Sequence, residues 1–208
     1  MAGSIFEEMY SSSNNSADYA SFYFEHLIQI MNKIDPKSIF AVEEAMFQAY
    51  LEGKQFFFLG NGGSFATASH CNNDFSKGTR VEGKRMMKVI PLTDPSSLTA
   101  YSNDDGYEYS FVNQLKALLN EGDIVVGITA SGNSPNILEA IEYANRKGAR
   151  TIAWTGFDGG KLAKIAKHAI IVKTSKGEYG PVEDAHMILD HLLVSYLREK
   201  IADKGPSF

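Results

Sequence analysis

The hydrophobic pattern divides the chain into a helical opening and an alternating remainder. From about Ala17 to Asn32 the apolar residues Phe22, Phe24, Leu27, Ile28 and Met31 recur at helical spacing. Asp35-Pro36 closes that segment and starts a second helix running through Tyr50, with Pro36 suited to a first turn, where a missing N–H costs nothing. Ahead of both, residues 1–15 are polar and rich in Ser and Asn, and read as a loose arm.

Beyond Tyr50 short apolar runs alternate with helical stretches. The runs are Gln55–Leu59, Met87–Leu92, Asp123–Ile128, Arg150–Thr155 and His168–Val172. They are continuously apolar, as strands are when helices cover both faces of a parallel sheet. Helical patterns fall between them at about 64–77, 107–119, 135–147 and 160–166, and a long one runs from about Val182 to Ile201. The order predicts an α/β fold: one domain over residues 1–208, a doubly wound five-stranded parallel sheet with helical extensions at both ends. Ligands of such sheets sit beyond the carboxyl ends of the strands, which selects the loops to inspect.

Composition narrows the setting. A formal net charge of −5 disfavours nucleic acid or an anionic membrane as the main partner. No stretch approaches the roughly 18 apolar residues of a membrane span, and the opening residues lack the basic and apolar segments of a signal peptide. The single cysteine, Cys71, has no internal disulfide partner and suits a reducing compartment, so a cytoplasmic location is expected.

Two of the strand-to-helix loops have one design. Gly60-Asn61-Gly62-Gly63-Ser64 follows Phe56-Phe57-Phe58-Leu59, and Thr129-Ala130-Ser131-Gly132-Asn133-Ser134 follows Ile124–Ile128. Glycines let the backbone approach an anion, and hydroxyls at a helix N-terminus donate to phosphate oxygens. Neither loop matches the nucleotide-hydrolysing or dinucleotide-binding glycine patterns, so those functions are poorly supported, while two loops of one design favour a phosphate site over ordinary glycine-rich turns. Further along lie pairs of polar residues at helical spacing. His70 and Asp74 are four apart, Glu183 and His191 eight apart, and His186 and Asp190 four apart. Two imidazoles and two carboxylates can hold a zinc ion, or serve as acid and base beside a sugar. Trp154 in its apolar strand and Cys71 on its helix read as core.

The two loops, together with Thr155-Gly156-Phe157-Asp158-Gly159-Gly160, resemble the sugar isomerase (SIS) domain family, and within it the phosphoheptose isomerases. The resemblance covers most of the chain and implies a flavodoxin-like sheet, a heptose phosphate substrate class, and a homotetramer with active sites between subunits. It implies zinc held by His70, Asp74, Glu183 and His191, with Asp74 and His191 catalytic. It also implies substrate binding by Asn61, Gly62, Gly63, Ser64, Thr93, Asp94, Thr129, Ser131, Ser134 and Glu183. The chain departs from the pattern at four of these positions or their neighbours. Asp74 stands where glutamate is usual, Glu183 where glutamine is usual, Gly180 where an acid is expected, and Ala130 where a hydroxyl is expected. The activity implied is interconversion of sedoheptulose 7-phosphate and a heptose 7-phosphate. Two rivals are a non-catalytic SIS protein that associates with a replication initiator, and an isomerase or epimerase of another sugar phosphate.

Overall fold

The computed structural model describes residues 4–207. Where a loose arm is expected, Ile5–Ser12 forms a helix, α1. Its start is fixed by a capping box: the Ser4 hydroxyl accepts from the Glu7 N–H, and the Glu7 carboxylate accepts from the Ser4 N–H. Residues 1–3 of the expected arm lie outside the described residues. Two further helices, α2 (Ser16–Met31) and α3 (Pro36–Leu51), are capped by the side chains of Asn15 and Asp35.

The sheet has five parallel strands: β1 (Gln55–Gly60), β2 (Lys88–Pro91), β3 (Ile124–Thr129), β4 (Arg150–Gly156) and β5 (His168–Val172). Their spatial order is β2-β1-β3-β4-β5, the flavodoxin-like arrangement, and its switch point opens between β1 and β3. The connecting helices are α4 (Gly63–Asn73), α5 (Pro95–Asp104), α6 (Val112–Leu118), α7 (Pro135–Arg146) and α8 (Leu162–Ile165), and α9 (Tyr179–Lys204) closes the chain.

Alternate residues of each strand feed two separate cores. Phe56, Phe58, Val126, Ile152 and Trp154 face one side and pack with Val42, Met46, Ala68, Leu189 and Leu193 of the α3, α4 and α9 layer, and with Phe75 just beyond α4. Phe57, Leu59, Val125 and Ala153 face the other, with Leu115, Ile137, Ile141 and Leu162 of the α6, α7 and α8 layer. Strands buried on both faces have no polar positions to alternate, which accounts for the run Phe56-Phe57-Phe58-Leu59, fully inaccessible to solvent. Cys71 and Trp154 lie in the first core, as expected.

Three segments differ from the sequence pattern. The unforeseen α5 buries none of its residues, so it carries no apolar stripe; the Asp94 side chain caps it instead. The helix expected over 107–119 is split into a 3₁₀ turn at Tyr107–Tyr109 and the shorter α6. The helix expected over 64–77 ends its α-helical part at Asn73 and widens into a π-helical turn over Asp74–Gly78, a feature that often re-aims side chains at functional sites. Among the described residues no helix is long and apolar enough to cross a membrane.

Candidate active site

Both glycine-rich loops lie at the carboxyl edge of the sheet, on either side of the switch point. In the β3–α7 loop the Thr129 hydroxyl lies 3.3 Å from that of Ser131 and 3.1 Å from that of Ser134, so three hydroxyls share one small space at the start of α7. The Asn133 N–H donates to the Ser131 hydroxyl. The loop is locked onto the β4–α8 turn by glycines: Gly132 has φ of +63°, and a Cβ on it would collide with the carbonyl of Gly159. Beside it, a cavity of about 410 Å³ is bordered by Ser131, Asn133, Phe157, Asp158, Thr174 and Lys176. Lys176 brings a cation to this hydroxyl-rich end, a contribution the sequence pattern did not single out.

In the β1–α4 loop Ser64 is buried in the first turn of α4. Asn61 is spoken for: its side-chain amide exchanges two hydrogen bonds with Asn136, at 2.9 and 3.0 Å, and so ties the two loops together. Asp94 accepts from the Ser97 N–H and hydroxyl, both at 2.7 Å, and these bonds hold its carboxyl below the usual range. Thr93 is half-buried in the loop that follows β2. A Cβ on Gly63 would strike the Glu183 carboxylate, which rests against the opening turn of α4.

The second half of the site lies lower on α4 and α9, which meet along their length. His70 Nε2 is 3.3 Å from His191 Nε2 and 3.2 Å from Asp74 Oδ2, and His191 Nε2 is 3.6 Å from the same oxygen. The other Asp74 oxygen accepts from the Asn73 side-chain amide at 2.8 Å. Asp190 joins them, with Oδ2 3.9 Å from His70 Nε2, and the four ligand atoms lie within 4.8 Å of one another. Glu183 is not part of this group: eight residues of helix carry it about 12 Å towards the sheet edge, to Gly63. The pair His186 and Asp190 is likewise separated in role, since His186 is buried against the Trp154 ring.

The side chains of His70 and His191 are 43% and 59% exposed, that of Asp74 is 18% exposed, and that of Asp190 is inaccessible. Burial pushes the Asp190 carboxyl up to about 6, and the Asp74 charge adds to this, while Cys71, His70 and His191 act the other way. Burial also raises the neighbouring Cys71 thiol, with Asp190 reinforcing it. A zinc ion bound tetrahedrally at 2.0–2.1 Å requires ligand atoms about 3.3 Å apart. The spacings among His70, Asp74 and His191 match that edge, so nitrogen and oxygen donors of the right type stand at the right separation.

A family profile described as the SIS domain matches residues 22–156. The chain belongs to the SIS domain family. Among its relatives, the phosphoheptose isomerase of Aquifex aeolicus is 36% identical over 157 residues, 76% of this chain and 81% of that protein. That of Aneurinibacillus thermoaerophilus is 33% identical over 177 residues, 85% and 84% of the two chains. The structure of the Neisseria gonorrhoeae phosphoheptose isomerase superposes with a TM-score of 0.77 at 30% identity, covering 89% of this chain and all of the other.

Proposed function

We propose that the protein is a phosphoheptose isomerase, interconverting the ketose sedoheptulose 7-phosphate and the aldose D-glycero-D-manno-heptose 7-phosphate. The observation that carries this reading is the arrangement of two different chemistries along α4. Ser64 stands in the first turn of α4, the Thr129, Ser131 and Ser134 hydroxyls stand in the loop that the Asn61–Asn136 pair ties to it, and His70, Asp74 and His191 converge six to ten residues beyond Ser64. Six helical residues rise about 9 Å, a separation suited to a sugar held by its phosphate at one end and reacting at the other.

In this account Ser64, Thr129, Ser131 and Ser134 hold the phosphate at the helix N-termini, and Lys176 neutralises part of its charge. Asn61, Gly62, Gly63, Thr93, Asp94 and Glu183 line the path of the sugar. Asp74 removes a proton from C1 of the ketose, and the C1–C2 enediol forms. The same carboxyl returns the proton to C2. His191 passes the hydroxyl proton from O1 to O2, which leaves the aldehyde at C1. Zinc, held by His70, Asp74 and His191, supplies Lewis-acid polarisation of the carbonyl when bound.

Aspartate reaches about 1.5 Å less far than glutamate, and the π-helical turn that begins at Asp74 is the local feature able to re-aim it. The family's subunit assembly fits the exposed apolar surface of Ile188, Leu192 and Tyr196 on α9 and Phe40 on α3. That surface flanks the exposed His191, so a homotetramer completes each site at a subunit boundary. One domain spans the chain, and the cytoplasm is its compartment. A panel of ketose phosphates, followed by NMR for aldose signals, tests the substrate class; production of aldose from a shorter ketose phosphate but not from sedoheptulose 7-phosphate favours the rival specificity.

A further inference from the structure

The most conspicuous polar group outside the expected ligand set is Asp190. Its side chain is fully buried, and neither carboxylate oxygen has a hydrogen-bond partner. Nearly all buried carboxylates are paired, because an isolated charge in the interior costs several kcal/mol. Two observations say what would complete it. Its Oδ2 faces His70 Nε2 at 3.9 Å, and it shares one 4.8 Å neighbourhood with both histidines and Asp74. The adjacent Cys71 is only a weak donor, and the imidazoles aim nitrogens at the same point.

We propose that Asp190, rather than Glu183, is the fixed carboxylate ligand of the metal in this protein. This rests on the reading of His70, Asp74 and His191 as a metal site and adds to it a residue set by the interior. With Asp190 the site becomes two imidazoles and two carboxylates, whose combined charge of −2 balances a divalent cation. Burial gives Asp190 one orientation, whereas Asp74 is partly exposed and braced by Asn73. Asp190 and Asp74 then share the charge of the cation, so less of it falls on Asp74, which also serves as the base. Glu183, two helical turns away at Gly63, is left to the substrate.

The test measures zinc binding to the metal-free full chain by competition with a chromophoric chelator, alongside thermal melts with and without zinc. Wild type, His70→Ala, Asp190→Leu, Asp190→Asn and Glu183→Ala are compared. Outer-shell changes typically cost 10–100-fold in affinity, so loss of a ligand is expected to cost at least about 100-fold in Asp190→Leu. His70→Ala should lose as much, and Glu183→Ala should stay within a few fold of wild type. The zinc-induced rise in melting temperature should vanish in Asp190→Leu while the metal-free protein stays folded, since leucine removes an uncompensated charge. If Asp190→Leu does not fold, Asp190→Asn gives the reading, with a loss of at least about tenfold expected. Wild-type affinity in the Asp190 variants with loss in His70→Ala would overturn the assignment and leave the metal site standing. Failure of wild type to bind zinc would overturn both.

Discussion

His186 offers a quantitative test of how the interior beneath the site is built. It lies on α9, fully buried, with its ring 6.4 Å from that of Trp154, and neither ring nitrogen makes a hydrogen bond. Burial lowers its pKa from 6.5 to about 4, with the Thr155 backbone offsetting part of the effect. The unfolded chain therefore binds a proton more readily than the folded one between these values. Stability contributed by the neutral ring is complete above pH 6.5 and is lost as pH falls towards 4. Linkage gives a loss of about 1 kcal/mol at pH 5.5 and about 3 kcal/mol by pH 4. His186→Leu keeps a comparable volume and removes both the titration and the unpaired nitrogens. At pH 7.5 the variant should be at least as stable as wild type, because an unsatisfied buried polar group costs about 1–3 kcal/mol. Between pH 7.5 and 4.5 its stability should fall less than that of wild type by about 2–3 kcal/mol. Urea unfolding of both metal-free proteins across this range measures the difference, in which carboxylates common to both cancel. Parallel pH profiles for the two proteins would refute the reasoning and place a proton or water on the ring.

Two further outcomes follow from the loops. Ser64→Ala and Ser131→Ala should each weaken binding of sedoheptulose 7-phosphate by about 1–3 kcal/mol in calorimetry, with unfolding midpoints little changed; unchanged affinity in both would remove the two-loop grip. Gly63→Ala should depress activity and stability because its Cβ meets the Glu183 carboxylate, and Glu183→Ala in the same chain should restore the stability. A double variant no more stable than Gly63→Ala would show that another contact fixes that glycine.

How much of this is legible in the sequence depends on burial. The three inner strands β1, β3 and β4 are enclosed on both sides, so the apolar run is the strand, and the edge strands β2 and β5 keep enough of that run to be read the same way. The α5 helix leaves no such trace, since only Leu98 leans on the core and none of its residues is fully buried, so its cap at Asp94 defines it. The α1 cap is written in Ser4-Ile5-Phe6-Glu7, but the polar composition around it outweighs that short signal. At the site, the four-residue spacing of His70 and Asp74 places them together on α4, as the structure does. Asp190 escapes this logic. It adjoins His191 in sequence, about 100° away around the helix, and the two converge only because α4 packs against the groove between them. The eight-residue spacing of Glu183 and His191 preserves the face but not the height, and height decides which residues share a cluster.

Catalysis in this chain turns on Asp74 moving a proton between two carbons of a phosphoketose bound by the hydroxyl loops. Its most direct measurement is NMR of wild type and Asp74→Asn incubated with sedoheptulose 7-phosphate, with binding of the sugar measured in parallel. Wild type should form heptose 7-phosphate, and Asp74→Asn should lose roughly 10²–10⁴-fold in turnover, with affinity nearly unchanged. Asp74→Glu, which restores the longer acid, should leave turnover no higher if the pocket has closed around aspartate. Binding of the sugar by both proteins with no aldose formed by wild type would contradict the claim and leave a binding protein without the chemistry.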